Sequence, residues 1–163
     1  MSMATVTSWQ DQNVLPNASF QHLLIPIDGS DLSLHAFSLG LQLARTIDAK
    51  VLALHVVPPF NSIAYMTEIL AAAELRYSTQ ALQSASRYLD QAKAMAMDAQ
   101  IPCECRYVFG DHPHEAILDA VNEHHCDLIV MATHGWHGLN RLVLGSETQK
   151  VLVSSRIPVL VCQ

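Results

Sequence analysis

The sequence predicts a doubly wound α/β domain built around a parallel β-sheet. Three observations support this fold class. Short apolar runs alternate along the chain with longer segments in which apolar residues recur at helical spacing. Several of these runs are apolar at nearly every position, as in strands that helices cover on both faces. Half of the 163 residues are apolar and only 15% are charged, which is typical of a globular chain with a sizeable core.

The first half of the chain contains two predicted strands and two predicted helices. The first strand includes Pro26, which lacks a backbone donor and therefore fits best near the carboxyl end of that strand. Ser30 or Asp31 is expected to cap the helix that follows. The second strand ends at two prolines, and the long segment after the connection at 60–66 contains no glycine or proline, as a helix requires. These elements are His22–Ile27, Leu32–Ala44, Lys50–Val57 and Thr67–Ala99.

The second half continues the alternation and closes the sheet with a short final strand. A Gly-Asp pair ends the third strand, and Pro113 lies in the first turn of the next helix, where its missing N–H costs nothing. The fourth strand is a short buried run, and a glycine-bearing loop separates it from the last helix. These elements are Cys105–Phe109, Pro113–His124, Asp127–Met131, Ser146–Val153 and Ile157–Cys162.

Composition and charge indicate how the chain is divided into domains and which classes of partner are disfavoured. Residues 1–20 are polar and lack periodicity, so we predict a flexible N-terminal tail followed by one domain over 21–163. The formal charge of -6 argues against a nucleic-acid partner, because phosphate backbones are bound by clustered Lys and Arg. The N-terminus does not resemble a secretion signal, and no apolar run is long enough to cross a membrane. The four cysteines follow no disulfide pattern, so a cytoplasmic location is expected.

The segment from Asp127 to Lys150 has the order strand, glycine-bearing loop and helix start, with glycines at 135, 138 and 145. Backbone N–H groups in such a loop, together with the helix dipole, favour an anion such as phosphate. The segment is not a Walker A loop, because it lacks the G-x-x-x-x-G-K-[ST] pattern. It is not the dinucleotide fingerprint either, whose glycines follow the first strand. Glycine spacing alone leaves an ordinary turn as an equal alternative.

A ligand of an open parallel sheet binds beyond the carboxyl ends of its strands. Asp28, after the first strand, is therefore a candidate for hydrogen bonds to a ribose, and residues 55–57 could offer an apolar slot for a base. The competing interpretation is structural. Asp28 could cap the first helix, and Ser146 could be simply the N-cap of the last one.

Two other kinds of site are disfavoured. Neither Cys103-x-Cys105 nor the run His124–Cys126 has the ligand spacing of a closed zinc site, so we predict no metal site. His112 and His114 are expected to be solvated. A Ser-His-Asp hydrolase is also disfavoured, because the chain has no G-x-S-x-G elbow.

From about residue 20 to 163 the chain resembles a universal stress protein of the ATP-binding branch. That branch carries the motif G-x2-G-x9-G-[ST] after a strand, and the same spacing runs here from Ala132 through Gly135 to Gly145-Ser146, with alanine in place of the first glycine. Further matching segments occur in the same order along the chain. They are Pro26-x-Asp28, Leu54-His55-Val56, Gly110-x-x-Pro113 and Pro158-Val159-Leu160-Val161.

The resemblance implies a three-layer, Rossmann-like fold with five parallel strands in the order 3-2-1-4-5. It implies ATP or AMP as the ligand, with Mg²⁺ as a candidate companion ion. Asp28 would contact the ribose, and the neighbourhood of Pro26 and Val56 would contact the adenine. The remaining residues of the predicted site lie along the motif, mostly around the phosphates. They are Met131, Ala132, His134, Gly135, Gly138, Arg141, Gly145, Ser146, Glu147 and Thr148.

Two positions depart from the motif or from its expected chemistry. An alanine at 132 is tolerated at negative φ but strained if the position needs positive φ. The carboxylate of Glu147 would be unfavourable beside phosphates unless its side chain points away.

The expected function is a stress-response regulatory module, switched by an adenine nucleotide and dimeric through the edge strand Pro158–Cys162. One alternative is a slow ATP hydrolase or nucleotidyl-transferring enzyme that uses a divalent metal. Turnover would be weak, because Arg141 is the only fixed cation of the loop and no catalytic lysine is present. A second alternative is a dimeric interaction protein that has lost nucleotide binding.

Overall fold

A computed structural model describes residues 19–60, 67–133 and 144–163. Its elements alternate between strand and helix along the described chain. They are β1 (His22–Pro26), α1 (Asp31–Ile47), β2 (Lys50–Val57), α2 (Thr67–Asp98), β3 (Cys103–Phe109), α3 (Pro113–His124), β4 (Leu128–Ala132), α4 (Ser146–Ser154) and β5 (Val159–Cys162). The strands form one sheet in the order β3-β2-β1-β4-β5, and all pairs are parallel. The predicted α/β fold and its strand order 3-2-1-4-5 are confirmed.

The element boundaries differ from the predicted ones by a few residues, and pairing or capping explains the differences. β3 begins at Cys103 rather than Cys105, because Cys103 and Glu104 already pair with β2. α1 continues to Ile47 and stops where Asp48 adopts a left-handed backbone with φ 57°. Its N-cap is Ser30, whose side chain accepts a hydrogen bond from the backbone N–H of Ser33 at 3.1 Å.

The apolar strands form two hydrophobic layers, one on each face of the sheet. In β1, Leu23 and Ile25 point to the side of α1 and α2, where Phe37 of α1 is fully buried. Leu24 points to the opposite side, where α3 and α4 contribute Ile117 and Val151 among others. Because side chains of a strand alternate between faces, a strand covered on both faces must be apolar throughout. This requirement accounts for the uninterrupted apolar runs of the sequence.

The long helix α2 lies against the sheet through small side chains. Ala85, Ala92 and Ala96 are buried at helical spacing, with Leu89 between them. A row of alanines lets the helix backbone approach the strands closely, while the opposite face of α2 is mostly polar apart from exposed Leu75 and Met97.

The start of the domain is anchored by Asp127, the residue before β4. Its carboxylate accepts hydrogen bonds from the backbone N–H groups of Gln21 at 2.8 Å and His22 at 3.0 Å. Phe20 packs against the α1–α2 layer, so the ordered domain includes it. Residues 1–18 lie outside the described residues, and the flexible tail stays a prediction. Within the described ranges, no helix has the length and apolarity to cross a membrane.

Candidate functional site

A crevice opens between the carboxyl ends of β1 and β4, where the strand order reverses. The two strands pair only at Leu23 and Leu24 of β1, although β1 continues to Pro26 and β4 to Ala132. The N–H of Ile27 donates to Leu54 O at 2.8 Å on the β2 side, and successive N–H groups of a strand point to opposite sides. The N–H that Pro26 lacks would therefore have faced β4. Proline thus ends the β1–β4 pairing at the position where a ligand site is expected.

Pro26 and Val56, the predicted base contacts, share one face of the sheet with Met131, a further residue of the predicted site, beside this crevice. Met131 is 6% exposed and packs in the α3–α4 layer, and half-buried Val56 packs against the same layer. Pro26 lies two residues after Leu24 and pairs in register with Leu54, both of which point to this face. The structure thus brings these side chains to one surface, and their contact with a base stays a prediction.

Asp28 organises the turn after β1. Its Oδ1 accepts hydrogen bonds from the backbone N–H of Ser30 at 3.0 Å and from the Ser30 hydroxyl at 2.6 Å. Since Ser30 is the N-cap of α1, Asp28 does not cap that helix itself, and it instead fixes the residue that does. The ribose role of Asp28 stays a prediction, and the structure gives the carboxylate a defined position from which to fulfil it.

Two aromatic rings hold this turn in place, Tyr88, which the sequence did not predict as part of the site, and His55 of the predicted base slot. Gly29 has φ +84°, and a β-carbon built there would lie 2.2 Å from Cε1 of Tyr88, which belongs to α2. The ring of Tyr88 packs edge-on against His55, with 5.3 Å between ring centroids. Nδ1 of His55 lies 2.7 Å from Ile27 O, and since a carbonyl only accepts, Nδ1 carries the proton. His55 therefore anchors the end of β1, and its side chain faces away from the predicted base slot.

The start of α4 is held directly against the end of β4. The N–H of Gly145 donates to Thr133 O at 2.8 Å, and the hydroxyl of Thr148 donates to Ala132 O at 3.0 Å. Thr148 is 4% exposed, so its predicted role at the phosphates can involve its backbone but its side chain already has a structural function.

Ala132 fits its position without strain. It is the last residue of β4, and among the described non-glycine residues only Asp48, Gln100 and His125 have positive φ. Its methyl group packs in the α1–α2 layer, and the residue as a whole is 7% exposed. The backbone conformation therefore does not require the glycine that the family motif carries here.

The N-terminus of α4 is capped by Gly145, with no side-chain hydrogen bond at the cap. Interpreting Ser146 as the N-cap was therefore wrong. Ser146 is the first helical residue, and it is exposed. The first N–H groups of a helix have no acceptor inside the helix, and together with the dipole they attract an anion.

Glu147 turns toward α3. Its Oε2 accepts hydrogen bonds from the backbone N–H of His114 at 2.9 Å and from Nδ1 of the same residue at 3.0 Å, while Lys150 Nζ lies 2.6 Å from Oε1. Burial alone raises the pKa of the Glu147 carboxyl, but the hydrogen bonds from Lys150 and His114 outweigh burial and lower it below its ordinary value. The N-cap of α3, His112, makes no side-chain cap bond, so Glu147 supplies one to this helix from outside it.

This arrangement corrects one prediction about the histidines. The side chain of His114 is only 17% exposed and pairs with Glu147, whereas it was expected to be solvated. His112 is exposed, as expected.

The family model described as the universal stress protein family matches residues 19–163. The chain belongs to the universal stress protein family. The match includes every described strand and helix.

Relatives of this universal stress protein align over most of its length. Universal stress protein YxiE of Bacillus subtilis is 32% identical over 149 residues, which cover 87% of this chain and 98% of that protein. The solved structure of universal stress protein UspA from Lactobacillus plantarum is 26% identical with a TM-score of 0.76, covering 90% of this chain and 100% of the other. A universal stress protein solved in complex with cAMP is 25% identical with a TM-score of 0.67, covering 90% of this chain and 99% of the other.

The central part of the motif in this universal stress protein lies outside the described residues. His134, Gly135, Gly138 and Arg141 belong to it, so their predicted contacts with phosphate stay predictions. The described residues on either side of 134–143 are nevertheless joined by the Gly145–Thr133 hydrogen bond, which places both ends of the motif at the edge of the crevice.

Proposed function

We propose that this universal stress protein binds an adenine nucleotide, ATP or AMP, in the crevice between β1 and β4. The observation that carries the proposal is the convergence of three features at one edge of the sheet. β1 and β4 separate there, Asp28 is fixed at the mouth, and the N-terminus of α4 begins without a side-chain cap. Nucleotide binding by a similar universal stress protein, solved with cAMP, supports the same interpretation.

The phosphates would occupy the first turn of α4. Gly145 and Ser146 present backbone N–H groups there, and Ser146 adds an exposed hydroxyl. Glu147, whose charge would oppose phosphates, has its carboxylate engaged by Lys150 and by α3, which offsets part of that repulsion. The base would lie on the surface formed by Pro26, Val56 and Met131, with the ribose beside Asp28.

The proposal extends to a homodimer in the cytoplasm that acts as a nucleotide-dependent switch. β5 is one edge of the sheet and carries no charged residue, and its Leu160 is 43% exposed. Val153, near the end of α4, is 87% exposed. The opposite edge strand, β3, includes Glu104 and Arg106, which disfavour pairing with a second chain. The four free cysteines are typical of a cytoplasmic protein.

The nucleotide site can be tested with a charge placed at the first residue of α4. Ser146→Asp is expected to leave the fold intact, because an acidic residue in the first turn complements the helix dipole. It should weaken AMP and ATP binding at least tenfold, which is about 1.4 kcal/mol, through repulsion of the phosphate. Ser86→Asp, at an exposed position of α2, makes the same charge change away from the crevice and should bind like the native protein.

Binding is measured by titration calorimetry with AMP, and with ATP in the presence of Mg²⁺. Nucleotide released from the heated protein and identified by chromatography provides an independent readout. The proposed function is overturned if the heated protein releases no nucleotide and calorimetry at millimolar ligand detects no heat of binding. Equal affinity of Ser146→Asp and the native protein would place the nucleotide somewhere other than the N-terminus of α4.

The dimer is tested separately by sedimentation. Leu160→Lys puts a charge on the exposed face of β5 and should convert the dimer to monomer at micromolar concentration. Tyr107→Lys, at a comparably exposed position of β3, is the matched control and should leave the mass unchanged. A native protein that sediments as a monomer contradicts the dimer while leaving the nucleotide site open to its own test.

A further inference from the structure

Cys103 and Cys105 form a dithiol on the edge strand β3, away from the crevice. They are two residues apart, so both side chains point to the α2 side of the sheet, and their sulfur atoms lie 4.0 Å apart in an S–H···S hydrogen bond. Both residues are partly exposed, whereas Cys126 and Cys162 are 5% and 7% exposed. The structure thus separates two accessible thiols in contact from two buried ones.

The surroundings of the pair favour a thiolate on Cys105. The hydrogen bond from Cys103 lowers the pKa of the Cys105 thiol to about 7, with a further contribution from the charge of Lys93. Burial opposes this shift, as do the charges of Asp90 and Glu104. The same hydrogen bond raises the pKa of Cys103, which therefore stays protonated and serves as the donor. At neutral pH one sulfur is a nucleophile and its neighbour carries a proton.

We propose that Cys103 and Cys105 are a redox site that reduces hydroperoxides and closes to a reversible disulfide. The Cys105 thiolate attacks the outer oxygen of the hydroperoxide, the O–O bond breaks, and a proton from solvent completes the alcohol, or water when the oxidant is hydrogen peroxide. Cys105 is left as a sulfenic acid. The sulfur of Cys103 then attacks the Cys105 sulfur, the S–O bond breaks, and the departing hydroxide takes up the Cys103 proton as water. The dithiol loses two electrons in total and the hydroperoxide gains them.

The strand geometry makes this disulfide a labile one. A rise of about 3.3 Å per residue separates α-carbons two positions apart by about 6.6 Å, at the long end of the range that disulfides span. Cys103 and Cys105 are also held in register with Val51 and Ala53 of β2. Bringing the two sulfur atoms to bonding distance therefore distorts the edge of the sheet, so a thiol reductant should reopen the bond readily.

A metal site is the main competing use of two adjacent thiols. A stable zinc site takes four ligands, and in the described part of the chain no group of three or more Cys, His, Asp or Glu side chains converges. The geometry therefore favours redox chemistry over metal binding.

Peptide mass spectrometry of the full-length protein tests the proposal. Cleavage after Lys93 and Arg106 yields one peptide, residues 94–106, that contains both cysteines. After brief exposure to hydrogen peroxide at neutral pH, this peptide should lose two hydrogens and regain them with dithiothreitol. The loss is distinct from oxidation of the methionines in the same peptide, which adds oxygen.

Variants separate the two sulfur atoms. Cys103→Ser should stop the reaction at the Cys105 sulfenic acid, which dimedone traps, and Cys105→Ser should slow peroxide consumption at least tenfold. Cys126→Ser, at a buried position, is the matched control and should react like the native protein. The proposal is overturned if peroxide leaves peptide 94–106 unchanged, if Cys105→Ser reacts at the native rate, or if the purified protein retains one zinc per dithiol after desalting.

Discussion

Replacing Gly29 with alanine tests how the turn beneath the candidate nucleotide site is held. Gly29 has φ +84°, a conformation that residues with a β-carbon rarely adopt. The new methyl would also approach the Tyr88 ring, with 2.2 Å to Cε1 and 2.3 Å to Cζ. Both the backbone and the packing therefore oppose the substitution, and the two contributions can be measured separately.

The two costs are of similar size. A left-handed backbone costs a residue with a β-carbon about 1–2 kcal/mol. Forcing a methyl into a packed site costs about 1–3 kcal/mol more, because the Tyr88 ring and α2 must shift. Gly29→Ala should therefore lower the free energy of unfolding by about 2–5 kcal/mol. In a Tyr88→Ala background the ring is absent, and the cost of Gly29→Ala should fall to the backbone contribution of about 1–2 kcal/mol.

Urea denaturation followed by circular dichroism gives these free energies. Gly110→Ala is the control, because a β-carbon there meets Ala116 and Val56 at ordinary contact distances of 3.4 Å and 3.5 Å. Its effect should stay within about 1 kcal/mol of the native protein. The reasoning is refuted if the two alanine variants are equally stable, or if removing the Tyr88 ring leaves the cost of Gly29→Ala unchanged.

Three further predictions follow from described contacts. Thr148→Val should lower the free energy of unfolding by about 1–2 kcal/mol, because it leaves the buried carbonyl of Ala132 without its donor, and Thr148→Ser should restore most of the loss in urea denaturation. Burial and the charge of Lys50 lower the pKa of His22 from 6.5, so stability should fall as the pH drops below that value, and a His22→Asn variant with the same pH dependence would contradict this. The pKa of the Glu147 carboxyl is lowered from 4.5, so the carboxylate stabilises the fold fully above pH 4.5, and this stabilisation is lost as the pH falls through the lowered pKa. Glu147→Gln should therefore reduce the loss of stability at acid pH, measured as the pH dependence of the urea denaturation midpoint. An unchanged pH dependence would rule out the contribution of Glu147.

The fold could be predicted because each strand and helix has a local sequence pattern that indicates it. Strands covered on both faces must be largely apolar, and Lys50–Val57 is apolar at every position except Lys50 and His55, with predicted bounds that match those of β2. Pro113 and Ser30 mark helix starts through their own backbone and side-chain chemistry, without help from distant residues. Pro26 indicated the end of β1 for the same reason.

The contacts of the site could not be predicted, because they join residues far apart in the chain. Nothing near Glu147 indicates that its carboxylate caps α3, since His114 reaches it only when α3 and α4 pack together. Tyr88 looks like any aromatic residue of a long helix until α2 places it against Gly29. Ser146 has the right chemistry for an N-cap, but the Gly145–Thr133 bond sets the helix start one residue earlier.

These tertiary contacts give α4 its importance in the proposed switch. Its first turn is fixed to the end of β4 by Thr148 and to α3 by Glu147, and its other end carries exposed Val153 and leads into the edge strand β5. One short helix thus connects the proposed phosphate site with the proposed dimer surface. If a bound nucleotide moves this helix, dimerisation and nucleotide affinity must change each other by the same factor, because binding free energies are reciprocally linked. A Leu160→Lys monomer that binds AMP as tightly as the native dimer would therefore show that the two sites act independently.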